Sequence, residues 1–88
     1  MPRRDWRKAS DVRGAFMYLT VDKGDTVRVV KRQGDREPMQ WTYEIQAFDV
    51  FSQQFAPYRV PGIQTADTAI ANAKALAREL GMETRGVR

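Results

Sequence analysis

Between Thr65 and Gly81 the sequence TADTAIANAKALARELG is marked as a helix at both ends and along its length. Thr65 is a side-chain N-cap, Asp67 places a negative charge in the first turn, and Gly81 suits the left-handed residue that closes a C-terminus. Ala66, Ala69, Ile70, Ala73, Leu76, Ala77 and Leu80 recur at three-and-four spacing, so they form one buried stripe. Asn72, Lys74, Arg78 and Glu79 fall on the opposite side. A stripe made mostly of alanine lets the helix lie close to whatever it covers, and upstream of it only β-type patterning is available to be covered.

Ala15, Met17, Leu19 and Val21 alternate with Phe16, Tyr18 and Thr20, the period of a strand with apolar residues on both faces. Asp22-Lys23-Gly24-Asp25 is a compact turn, and Thr26–Gln33 resumes a β-branched run, which together predict a hairpin. Gly34-Asp35-Arg36-Glu37-Pro38 is a polar loop. Gln40–Asp49 is the strongest strand signal: Trp41, Tyr43, Ile45 and Ala47 share one face, and Gln40, Thr42, Glu44 and Gln46 share the other. A turn near Ser52-Gln53 leads to a short edge strand at Phe55–Val60, whose Pro57 cannot donate to a ladder.

The expected fold is α+β: a three- to four-stranded antiparallel meander packed on one C-terminal helix. Residues 14–82 form the single domain, residues 1–13 a flexible basic arm, and residues 83–88 a frayed end. Met82 is expected to fold back as the apolar residue after the helix cap.

Composition removes several kinds of chemistry. The 88 residues contain neither cysteine nor histidine, so disulfides, thiolate metal sites and the commonest general base are absent. Ser10 and Ser52 have no histidine to activate them, and Asp22/Asp25 and Asp35/Glu37 fall in turns where acids are ordinary. A non-enzymatic protein without cofactor or metal is expected. No run is long enough to span a bilayer, and no apolar stretch follows the basic N-terminus, so a cytoplasmic location is expected.

The formal charge is +4, and its distribution is uneven. Residues 1–13 hold Arg3, Arg4, Arg7, Lys8 and Arg13 against Asp5 and Asp11, whereas residues 14–64 hold six bases and six acids. The surplus therefore lies in the arm, with Trp6 its one large apolar residue. A helix covers only one side of a small sheet, which leaves the other side to meet a partner. That side includes Thr42, Glu44 and Gln46, with either Arg28/Arg32 or Lys31 from the preceding strand.

The segment from Arg28 to Gly81 resembles the sheet-plus-helix DNA-binding domains of plant ethylene-response factors, which are similar in fold to phage integrase arm-binding domains. The residues concerned are Arg28-Val29-Val30-Lys31-Arg32, Trp41-Thr42-Tyr43-Glu44-Ile45-Gln46 and Ile63-Gln64-Thr65-Ala66-Asp67-Thr68-Ala69. The resemblance implies double-stranded DNA as partner, with Arg28 and Lys31 contacting it and Glu44 reading a base. Gln46 stands where the family has arginine, and Pro57 stands at its third-strand arginine. The nucleic-acid surface so expected comprises Arg28, Lys31, Arg32, Glu44 and Gln46, with Arg3, Arg4, Arg7 and Lys8 of the arm on phosphates. The alternative is a protein-contact or homodimer surface made of exposed aromatics Phe16, Tyr18, Phe48 and Phe51.

Overall fold

The computed structural model describes residues 6–11, 14–33, 41–58 and 65–85. Five strands, β1 (Arg7–Asp11), β2 (Gly14–Thr20), β3 (Val27–Gln33), β4 (Trp41–Asp49) and β5 (Gln54–Tyr58), precede one helix, α1 (Ala66–Glu79). The strands form an antiparallel sheet in the order β1-β2-β3-β4-β5. This is the expected α+β meander with one strand more, because the second half of the basic arm is itself a strand: Arg7 pairs with Tyr18 and Asp11 with Gly14. The arm through Arg7–Asp11 is thus not a flexible tail. Trp6 explains why, since its ring packs against the core and lies 6.2 Å from that of Tyr43. Residues 1–5 of the arm lie outside the described residues.

The helix follows its sequence marks closely. The Thr65 hydroxyl accepts from the Thr68 N–H at 3.2 Å. At the far end Gly81 has φ +75, its N–H donates to the Arg78 carbonyl, and the Met82 N–H donates to that of Ala77. Both bonds of a Schellman cap are therefore present. Ala69, Ile70, Ala73, Leu76 and Ala77 are buried against Leu19, Val21, Val27, Val29 and Ile45. Burying a side chain the size of Ile70 or Leu76 contributes about 1.5–3 kcal/mol. Leu80, expected on the same stripe, is the C-cap and is exposed.

The β2–β3 turn is held by Asp22, which is fully buried. Its carboxylate accepts from the N–H groups of Thr26 and Val27 at 2.8 Å and from the Thr26 hydroxyl. The left-handed residue of this turn is Asp25, φ 57, not Gly24. Residues 83–85 also differ from the frayed end expected. Thr84 bridges to Asp22, the Arg85 N–H donates to the Val21 carbonyl, and the Arg85 guanidinium reaches the Asp22 carbonyl and the Asp25 carboxylate at 2.9 and 2.7 Å.

Val30 is fully buried and Phe16 is 7% exposed, although both lie on the face away from α1. Both line a cavity with Arg28, Arg32 and Phe55, and the guanidinium groups of Arg28 and Arg32 lie over the Phe16 ring.

Candidate functional site

The register decides which residues of β3 share a face with Glu44 and Gln46. Arg28 pairs with Gln46, Val30 with Glu44 and Arg32 with Thr42, and directly opposed residues point to the same side. Arg28, Arg32, Thr42, Glu44 and Gln46 are thereby brought together on the face remote from α1. Lys31 is not among them: it pairs with Tyr43 and Met17 on the helix side, and its ammonium lies 4.6 Å from the Trp6 ring and 5.0 Å from that of Trp41. The side-chain period of two makes this separation unavoidable, since Lys31 cannot face the same way as both Arg28 and Arg32.

The remote face holds an open cavity of about 640 Å³ to which all five strands contribute. Its floor is Val30 and Gln46, and its walls include Phe16 from β2, Phe55 and Pro57 from β5, and Arg28 and Arg32 from β3. Arg28 occupies the centre. Its Cζ lies 3.7 Å from the ring centroid of Phe55, 5.1 Å from that of Tyr18 and 5.3 Å from that of Phe16. Arg32 approaches the Phe16 ring as well, at 4.8 Å, so two guanidinium groups converge on one aromatic ring.

A polar relay fixes Arg28. Its Nε donates to Gln46 Oε1 at 2.9 Å, and Gln46 Nε2 donates to Glu44 Oε2 at 2.8 Å. The carboxylate sets the orientation of the amide, and the amide sets that of the guanidinium, whose two Nη groups remain as donors for an anion. Burial lowers the Arg28 pKa from its ordinary value. Tyr18 raises it, Arg32 lowers it and Glu44 raises it. A partly desolvated cation held by a neutral amide is electrostatically suited to a negative ligand.

Of the arm residues, Arg7 reaches this side, lining a smaller depression of about 150 Å³ with Tyr18, Thr20 and Asp25 that shares Arg28 and Phe55 with the first. Lys8 pairs with Met17 on the helix side. Arg3 and Arg4 lie outside the described residues. The aromatic set divides too. Phe16 and Tyr18 are drawn under Arg28 and Arg32 and are not an exposed patch, whereas Phe48 stacks edge-on against Phe55 with centroids 5.4 Å apart. Phe51, at the β4–β5 tip, is 96% exposed.

Phe55, Pro57 and Val30 were not expected at the site. The β4–β5 register, which sets Phe55 opposite Phe48 and Pro57 opposite Gln46, places the first two, and alternation within one strand carries no signal for that register. Among the described residues no cluster of acidic or other ligating side chains is placed to hold a metal, and no helix is long and apolar enough to cross a membrane. Compared with family models, curated proteins and solved structures, the chain shows no significant match.

Proposed function

We propose that this chain is a small non-enzymatic binding module that takes nucleic acid on the face of its sheet remote from α1. The observation that carries the reading is the convergence of Arg28 and Arg32 on the Phe16 ring inside an open cavity, with Arg28 held by Gln46 and Glu44. Guanidinium groups beside aromatic rings meet the two needs of a nucleotide strand, a cation for each phosphate and a flat surface for each base.

The same geometry favours a single strand over a duplex. Reading a major groove requires side chains that project from the protein, and Gln46, one of the expected readers, is 7% exposed on the cavity floor. An unpaired base can enter a cavity; a base pair inside a duplex cannot. Phosphate contacts fall to Arg28 and Arg32 within the cavity and to Arg7 at its edge. Three such contacts give a modest affinity that falls by roughly 2 log units per log unit of salt.

Titration of labelled random oligonucleotides, single-stranded and duplex, at two salt concentrations tests this. Single strands should bind more tightly, with that salt slope. Absence of binding by either at low salt removes the nucleic-acid reading, and preference for the duplex restores the major-groove geometry.

A second reading rests on a different observation. Phe51 and Val50 stand 96% and 69% exposed at one hairpin tip, beside Phe48, and such a cluster suits contact with a second copy of the chain. Light scattering should then show a concentration-dependent dimer that Phe51→Ser abolishes; a strict monomer at high concentration rules the dimer out.

A further inference from the structure

Both tryptophans of the chain flank one lysine. The Lys31 ammonium lies 4.6 Å from the Trp6 ring centroid and 5.0 Å from that of Trp41, and Tyr43, the cross-strand partner of Lys31, stands 6.2 Å from Trp6. The group comes from three strands' worth of chain: Trp6 immediately before β1, Lys31 on β3, and Trp41 with Tyr43 on β4. Lys31 and both tryptophans sit on the helix side of the sheet and do not line the Arg28 cavity, which Tyr43 alone of this group touches.

We infer that Trp6 and Trp41, with Tyr43 packed beside Trp6, form a cation-binding cage whose external ligand is a quaternary ammonium group, and that Lys31 occupies the place of that ligand in the free protein. Distances below about 6 Å from cation to ring centroid are those at which the ring quadrupole attracts a cation, and tryptophan is the strongest partner. The resident primary ammonium is a poor match for this environment because it is compact and strongly hydrated. A quaternary ammonium has no N–H to leave unsatisfied and a larger apolar surface to set against the rings. Lys31 can yield its place, since a four-carbon stem lets the charged end swing to water while the stem stays on the sheet. Trp41 is 48% exposed, which leaves the cage open on one side.

The chain contains no tryptophan besides these two, so tryptophan fluorescence reports on the cage alone. The full chain is titrated with choline, with phosphocholine and with the amide of trimethyl-lysine, and dimethylbutanol serves as the uncharged isostere of choline. The cations should perturb the emission and the isostere should not. Which cation binds tighter distinguishes a lipid-type headgroup from a methylated side chain. Lys31→Met removes the internal competitor and should tighten binding about tenfold, and Trp41→Ala should weaken it about tenfold or more. Thermal unfolding of each variant checks that it folds, with Lys31→Gln as the replacement if Lys31→Met does not. An equal response to the isostere, or none from the folded Lys31 variant, overturns the proposal and leaves the cluster as a clamp between β1 and the rest of the sheet.

Discussion

Val29 and Val30 are neighbours on β3, both fully buried, and they are buried by different means. Val29 faces α1 and packs with Leu19, Ile45 and the alanine stripe, a surface of short, stiff side chains with no polar group to satisfy. Val30 faces the cavity, where the cover consists of Arg28, Arg32 and rings from β2 and β5. Among the described residues, one side of the sheet is therefore closed by a helix and the other by cationic and aromatic side chains of the strands themselves. Side chains of the second kind have rotameric freedom to lose and can move apart for a ligand. Stability should accordingly depend on the helix side and binding on the other.

The largest test of that division is Ile45→Ala, which opens a void beneath α1 and should cost about 2–5 kcal/mol in denaturant unfolding. A loss below 1 kcal/mol would mean that the helix does not anchor the core. Next comes the pair on β3. Val29→Ala should cost about 1.5 kcal/mol or more, for two methyl groups at roughly 0.8 each plus the cavity left behind. Val30→Ala should cost measurably less, because the Arg28 stem and Phe16 can settle into the space; equal losses would show that the cavity side is packed as firmly as the helix side. Gly81→Ala should cost about 1 kcal/mol through backbone conformation alone, since φ is +75 and an added Cβ meets nothing within 4 Å.

The smallest stability change is expected for the triple substitution Arg28→Met, Gln46→Leu and Glu44→Leu, within about 1 kcal/mol of the wild type, because every member of the relay is replaced together and a desolvated charge is removed. Oligonucleotide affinity should fall at least about tenfold in the same variant, from loss of a charge-assisted contact. Its stability difference from the wild type should also be flat from mild acid to mild base. The folded-state pKa of Arg28 is lowered, so folding gains stability with rising pH only between that lowered value and the higher one of the unfolded chain, and below both the burial cost is constant. A stability gap that changes across neutral pH would assign the proton to another group.

The helix side was legible in the sequence almost residue by residue, because Thr65, the alanine stripe and Gly81 each act through local rules. So were the two faces of β4. The cavity side was not, for three physical reasons. Whether Arg28/Arg32 or Lys31 joins Glu44 depends on register, which alternation within a single strand does not determine. Phe16 alternates as an outward residue, and the Arg28 and Arg32 guanidinium groups that lie over its ring come from another strand, a placement that depends on register. Finally, RKASD has almost no apolar content, so β1 gave no strand signal of its own; pairing with β2 and the anchoring of Trp6 place it. Residues 83–85 escaped for a similar reason, since their partners are turn residues some 60 positions away.

The clasp between Arg85 and the Asp22–Asp25 turn has a kinetic side. The β2–β3 hairpin can form as soon as its own residues are available, but the bonds from Arg85 to the Asp22 carbonyl and the Asp25 carboxylate span 63 and 60 positions. Loop-closure entropy of that length must be met before those bonds can form. On a growing polypeptide the β2–β3 turn would therefore remain unlatched until Arg85 emerged, well after its own two strands had paired.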